Sequence, residues 1–288
     1  MQEINSQSFL VTDPVQLDKT PTVLETDATK KEKKKALKEV GKKLSKMQDT
    51  MYAHNRHGVL VCLQGMDTSG KDSLIREVFS KFNPRGVVVH SFKSPSKVEL
   101  QYDYLWRHYL TLPQKGKYAI FNRSHYENVL VTRVNPGFLL KENIPGLERV
   151  EDIPLDFWEK RFEQIRNFEK HITQNGTIVF KFFLHLSKDE QRQRLLRRLE
   201  KKEKIWKFTP SDISERELWD DYQKNYEEAI NNTSTPHAPW HIIPADDKKM
   251  ARYLVAGSFT KKCRNSPIYK NLLLIRWLKI TWRFIKTF

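Results

Sequence analysis

Between Lys30 and Met51 the apolar residues Leu37, Val40, Leu44 and Met47 recur every three or four positions in a strongly basic segment. That spacing predicts an amphipathic helix with one buried stripe. The pattern then changes. Val59–Gln64 is a short continuous apolar run, and Gly86–Phe92, Tyr118–Phe121, Ile178–Leu186 and Trp240–Ile243 read as strands of the same kind. Helical periodicity fills the intervals, at Leu74–Phe82, Val98–Tyr109 and about 156–173, 188–204, 214–232 and 247–260. Strands alternating with helices predict an α/β fold around a parallel five-stranded sheet. Ligands of such sheets bind beyond the carboxyl ends of the strands, where the loops after Gln64, Phe92, Phe121 and Leu186 should converge. Residues 1–29 have no period, and an extended arm or one draped over the body is expected.

The loop Gly65-Met-Asp-Thr-Ser-Gly-Lys-Asp72 lies between the first apolar run and the helical stretch that follows it. Strand, glycine loop and helix in that order build a phosphate cradle. Glycines let backbone N–H groups turn toward one point, the helix N-terminus adds partial positive charge, and the lysine reaches terminal phosphates. Gly65, Ser69, Gly70, Lys71 and Asp72 are therefore candidate phosphate-binding positions. Asp72 stands where a metal-holding Ser or Thr usually follows the lysine. Magnesium prefers oxygen ligands, so Asp67, the carboxylate inside the loop, is the candidate metal ligand.

Directly after the third strand comes Asn122-Arg-Ser-His-Tyr-Glu-Asn128. Enzymes with phosphate loops place a metal- or water-binding carboxylate at this strand end, and here the position is Asn122. Arg123 is suited to neutralise charge on a transferring phosphoryl group, and Glu127 to orient an acceptor or a hydrated metal. Asn122 and Ser124 equally suit helix capping. His125, next to a tyrosine, reads as a packed histidine outside the catalytic set. The catalytic candidates are Asp67, Lys71, Asn122, Arg123 and Glu127.

Lys188–Lys204 holds eight basic residues against four acidic ones, with Arg194, Arg197, Arg198 and Lys201 on one helical face. The segment is either a lid that closes over phosphates or a solvated, salt-bridged helix. Trp206 reads as a packing residue. Lys93 fits either a phosphate track or an ordinary strand-end surface. The net charge of +16 and pI near 9.7 imply an anionic partner: nucleic acid, an acidic membrane or a phosphate polymer. Cys62 and Cys263 lack metal-ligand spacing and the first residues lack a signal-peptide pattern, so a cytoplasmic setting is expected. No apolar run approaches the roughly 20 residues of a membrane span.

The loop, Asn83-Pro-Arg-Gly86, Ser91-Phe-Lys-Ser-Pro95, Asp103-Tyr-Leu-Trp-Arg107, Phe121-Asn-Arg-Ser-His-Tyr-Glu127 and Thr233-Ser-Thr-Pro-His-Ala-Pro-Trp-His241 follow one another in order. With these motifs, residues 30–262 closely resemble polyphosphate kinase family 2. The resemblance implies a P-loop kinase-like three-layer sandwich with an arginine-rich helical lid at about 188–210. It also implies magnesium, or manganese in its place, and reversible transfer between inorganic polyphosphate and a nucleotide. The Asn-Arg-Ser-His-Tyr-Glu version is similar to the subgroup often called class III, which acts on both AMP and ADP; other subgroups have Asp-Arg-Ser there.

Carried onto this chain, the resemblance implies metal and phosphate contacts from Asp67 and Lys71, phosphate contacts from Arg123, and acceptor-side organisation from Asn122 and Glu127. Asn128 stands where some relatives have an acid. Inorganic polyphosphate, AMP, ADP and ATP are the expected partners, with no nucleic acid and no membrane, and a dimeric or tetrameric homo-oligomer is expected. A charged polymer needs a basic track, for which the loop, Lys93, Arg133, Arg194, Arg197 and Arg198 are available. An ATP-dependent nucleoside monophosphate kinase and a nucleic-acid binding module are the competing readings. Residues 263–288 fall outside the resemblance. There Arg276, Lys279, Arg283 and Lys286 alternate with apolar residues as in a basic amphipathic helix, suited to packing, subunit contact or an anionic membrane surface.

Overall fold

A computed structural model describes residues 6–202, 205, 208 and 211–265. Its strands are β1 (Gly58–Gln64), β2 (Val87–Ser91), β3 (Tyr118–Asn122), β4 (Thr177–His185) and β5 (Trp240–Pro244). They form one parallel sheet in the order β2-β3-β1-β4-β5. The helices are α1 (Lys30–His54), α2 (Lys71–Val78), α3 (Trp106–Tyr109), α4 (Glu127–Val134), α5 (Phe157–Gln174), α6 (Lys188–Glu200), α7 (Ser211–Glu217), α8 (Trp219–Thr233) and α9 (Lys248–Asn265).

The two-residue period of the strands sorts their side chains between two helical layers. Val59, Val61 and Leu63 of β1, with Phe180, Phe182 and Leu184 of β4, pack against Leu44 and Met47 of α1, Leu74 of α2, and Leu254 and Phe259 of α9. On the opposite face Leu60, Cys62, Phe121 and Val179 meet Phe168 and Ile172 of α5. Phe183, Trp240 and Ile242 meet Val129 of α4, Ile165 of α5 and Ile230 of α8. Each such side chain contributes about 1.5–3 kcal/mol by leaving water, and these clusters on both faces fix the sheet whose upper edge holds the site. The expected α/β sandwich with five parallel strands is the fold observed.

Several boundaries differ from the sequence reading, each for a local reason. The helix after the glycine loop starts at Lys71 and stops at Val78; Phe79 and Phe82 lie in the turn beyond, where their rings meet edge to face at 5.0 Å. Val98–Tyr109 is not one helix. A single 3-10 turn at Glu99–Gln101 gives way to an extended Tyr102, and Asp103 Oδ1 accepts from the Leu105 N–H at 2.9 Å before α3 begins. That side-chain bond offers the backbone an alternative to helix. The stretch 214–232 is split at Leu218, because its halves are held by different bodies. Arg216 of α7 donates to the Lys188 carbonyl and to Gln191 of α6, whereas Trp219, Tyr222 and Tyr226 of α8 sink into the core.

The N-terminal arm is draped. Val11 N–H donates to the Trp240 carbonyl at 2.9 Å, Leu10 forms an antiparallel bridge with His241, and Val11 and Leu17 are buried. At the other end α9 runs to Asn265, and the basic segment Ile268–Phe288 lies outside the described residues, as does Trp206. Among the described residues no helix is long and apolar enough to cross a membrane.

Candidate active site

β1 ends at the fully buried Gln64, and Gly65 turns the chain with φ of 148°. A Cβ there would stand 2.9 Å from both the Leu184 carbonyl oxygen and Ser69 Oγ, so only glycine fits. Thr68 (φ 62°) and Gly70 (φ 106°) complete the wrap, and Gly70 is the N-cap of α2. The loop therefore surrounds a helix N-terminus, whose free N–H groups and dipole favour an anion.

Lys71 folds back over this loop, its Nζ donating to the carbonyls of Gly65 at 2.7 Å and Met66 at 3.3 Å. Desolvation and the nearby Arg123 push its ammonium down to about 8, against the pull of Asp67, Glu127 and Asp72. Burial works against the charge of Asp67, but Arg198, Lys71 and Arg123 outweigh it and hold its carboxyl below the usual range. Arg198 reaches down from α6 to donate to Asp67 Oδ2 at 3.0 Å.

β3 lies next to β1, with Leu63 in register with Asn122, so the segment after β3 opens beside the glycine loop. Arg123 occupies the left-handed region (φ 64°) and its N–H donates to the Leu63 carbonyl at 3.2 Å. A non-glycine residue there is strained and persists only where its surroundings hold it. Its guanidinium pairs with Glu127 at 3.1 Å, and that carboxylate keeps it firmly protonated. Asn122 Nδ2 donates to Asp72 Oδ1 at 2.8 Å and to Ser91 Oγ at 3.4 Å, so it ties the ends of β3 and β2 to the first turn of α2 and does not cap α4. Asp67, Lys71, Arg123, Glu127 and Arg198 thus act on one another electrostatically around a phosphate-binding helix end, an arrangement able to hold and transfer a phosphoryl group.

Residues 27–268 match the family described as Polyphosphate kinase 2. The chain belongs to the polyphosphate kinase 2 family. It is 47% identical over 243 residues to an ADP-polyphosphate phosphotransferase of Rhodopseudomonas palustris, covering 84% of this chain and 83% of the relative. It is 48% identical over 221 residues to an AMP/ADP-polyphosphate phosphotransferase of Meiothermus ruber, covering 77% of each. Its fold superposes on a crystal structure of polyphosphate kinase 2 from Arthrobacter aurescens with a TM-score of 0.81 at 31% identity, over 90% of this chain and 88% of that one.

Several cations expected on a phosphate track sit elsewhere in this polyphosphate kinase 2 chain. Arg194 is buried beneath the glycine loop and spends all five of its N–H donors. Nη1 serves the carbonyls of Thr68 and Ser69, Nη2 those of Ala245 and Asp246, and Nε serves Glu190. It supports the loop from below and has no donor left for phosphate. Arg133 is turned toward α8, 2.5 Å from Glu228 without hydrogen-bond alignment at Nη1, with its guanidinium over the Trp158 ring. That places it on the helical layer and not on the track. Arg197 is exposed and pairs with Glu190 at 2.7 Å. Lys93 is exposed beyond β2, and its carbonyl accepts from Arg107 at 2.8 Å. The Asp72 carboxylate, bound by Asn122, offers phosphate no side-chain donor and orients Asn122 instead.

Other residues join the site without having been singled out in the sequence. Gln191 Nε2 donates to the Asp67 carbonyl at 3.2 Å, and Gln64 Nε2 to Ser124 Oγ at 3.1 Å. Lys248 Cε comes within 3.9 Å of where a Cβ on Gly70 would stand. Gln64 had a signal, as the polar end of an otherwise apolar run; Gln191 and Lys248 had none. For a metal, the donors on offer are oxygens: the Asp67 carboxylate, and Thr68 Oγ1 and Asn122 Oδ1, both buried without a hydrogen-bond partner. Among the described residues no group of three or more His, Cys, Asp or Glu forms a cage. Few protein oxygens beside a phosphate site suit magnesium or manganese shared with substrate phosphates.

Proposed function

We propose that this chain transfers the terminal phosphoryl group of inorganic polyphosphate to AMP and to ADP, reversibly. The observation behind this reading is the joining of Asp67 and Lys71 of the glycine loop, with Arg198 of α6 above them, to Arg123 and Glu127 just beyond the neighbouring strand end. The names of the Rhodopseudomonas and Meiothermus relatives supply the substrate class, ADP in one case and AMP/ADP in the other. Loop N–H groups and Lys71 would seat the donor phosphates. Arg123 and Arg198 would offset charge as it shifts from acceptor to leaving oxygen, and Glu127 would keep the Arg123 guanidinium aimed.

Magnesium or manganese would be held by Asp67, with the unpartnered Asn122 Oδ1 and Thr68 Oγ1 as the other oxygen donors on offer. When bound, it supplies neutralisation of donor and acceptor phosphates. Cys62, buried and free, suits the reducing cytoplasm as the proposed setting. A donor panel tests the reading: polyphosphate alone should convert AMP to ADP and ADP to ATP. Conversion of AMP only when ATP is the donor would make the chain a nucleoside monophosphate kinase instead.

A further inference from the structure

Beneath the β3 strand end lies a buried polar network that the phosphoryl chemistry does not itself use. Lys181, in the middle of β4, is fully buried and satisfies its three donors. Nζ reaches Glu169 Oε2 at 2.7 Å, the Tyr126 hydroxyl at 2.8 Å and the Thr233 carbonyl at 2.7 Å. Glu169 of α5, also fully buried, accepts from the Tyr126 hydroxyl at 2.8 Å and faces His125 Nε2 at 3.3 Å. Trp240 Nε1 closes the group by donating to Thr233 Oγ1 at 2.9 Å. Burial would push the Glu169 carboxyl up, but Lys181 and His125 outweigh it and hold it below its usual range.

An apolar side chain of similar volume would suit this core at least as well as a buried ion pair, so stability alone gives little reason for the pair. Its position supplies another reason. His125 and Tyr126 are two and three residues beyond Arg123, whose left-handed backbone needs restraint on both sides. On the near side the restraint is the Arg123 N–H bond to the Leu63 carbonyl, and immediately beyond Arg123 the Gln64–Ser124 contact at 3.1 Å adds to it. On the far side it is the Glu169–Lys181 pair gripping His125 and Tyr126.

We propose that Glu169 and Lys181 are positioning residues which hold the 122–127 segment so that the Arg123 guanidinium is presented to the phosphoryl group. The proposal rests on the phosphoryl-transfer reading of Arg123. It acts through Arg123, so its signature is coupling between distant buried side chains and that arginine.

The test combines Glu169→Gln, Tyr126→Phe, the paired Glu169→Gln/Lys181→Met, and each of these on an Arg123→Ala background. Turnover with polyphosphate and ADP is read beside tripolyphosphate binding by calorimetry and urea midpoints. Tyr126→Phe keeps the core volume and the buried ion pair, and so should remain folded even if Glu169→Gln leaves the Lys181 ammonium buried without a counter-charge. The paired variant removes both buried charges and should regain most of its stability. Glu169→Gln and the paired variant should each lose kcat by about tenfold or more with KM changed by less than about threefold, the pattern of an interaction made in the transition state. On the Arg123→Ala background the same changes should cost less than about twofold, because the residue they aim is already gone.

Losses that multiply on that background, or a paired variant whose kcat recovers together with its stability, would overturn the proposal and leave the network a purely structural one. Wild-type protein that binds tripolyphosphate but shows no transfer would instead count against the functional reading. A kcat loss in the network variants that Arg123→Ala does not itself show would refute the positioning role as well, because there would be no Arg123 contribution for them to remove.

Discussion

Arg194 and Arg198 sit one helical turn apart on α6, yet their surroundings predict opposite consequences for Arg194→Ala and Arg198→Ala. Arg194→Ala strips donors from four carbonyls, those of Thr68, Ser69, Ala245 and Asp246, and from Glu190. A buried acceptor left without a donor costs about 1–3 kcal/mol, and water entering the truncated space will meet some of the four. A net loss of about 3–5 kcal/mol is expected, the range for deleting one partner of a buried charged network. Arg198 pairs with a carboxylate that is 36% exposed, so Arg198→Ala should cost only about 0–1 kcal/mol. Turnover should divide the other way per unit of stability lost. Arg198→Ala should reduce kcat about a hundredfold as a lost charge-stabilising donor in a fully folded protein. Urea denaturation and polyphosphate-dependent kinetics on the same preparations decide it. An Arg194→Ala protein that melts like wild type, or an Arg198→Ala protein with wild-type kcat, would refute the division between support and chemistry.

Two further outcomes follow from protonation. Lys71, with its ammonium pushed down to about 8 by desolvation and Arg123, loses its charge in the free enzyme as pH rises through that value, so KM for polyphosphate should climb between pH 7 and 9. A flat KM profile in steady-state assays would contradict it. His108 and His125 are fully buried, and burial pushes both below the ordinary histidine value. The unfolded chain takes up their protons near pH 6.5 while the native one does not, so stability should fall as pH drops below about 6.5 toward the native values. His108→Phe, placed among Phe92 and Phe121, should flatten the fall in urea midpoint between pH 6.5 and 5.5, and an unchanged slope would count against it.

The phosphate loop was legible because glycine spacing reports backbone geometry: Gly65 and Gly70 mark two of the three positive-φ positions that shape it, Thr68 being the third. The strands were legible because each reads as an apolar run, mostly buried along β1, β3, β4 and β5 and partly exposed in the edge strand β2. What sequence could not convey was the choice among chemically equal side chains. Arg194, Arg197 and Arg198 share a helical face, and only the long-range carbonyls of Ala245 and Asp246 show that Arg194 faces inward. Arg133 was drawn to Glu228, nearly a hundred residues later, by the packing of α4 on α8. The draped arm showed no period because it takes its backbone partner from β5, far along the chain. Lys181, a single charge inside an apolar strand, was visible in the sequence, whereas its partner Glu169 was one acid among several on a helix.

The central claim is that phosphoryl groups pass from polyphosphate to a nucleotide at the junction of the glycine loop and the β3 strand end. Phosphorus-31 spectra of the enzyme with magnesium, polyphosphate and AMP, and no other donor, test it directly. Wild-type protein should build up the resonances of ADP and then ATP at the expense of polyphosphate, and Lys71→Ala should leave the starting spectrum unchanged. A wild-type spectrum in which polyphosphate and AMP persist together, or a Lys71→Ala protein that converts them at the wild-type rate, would contradict the account.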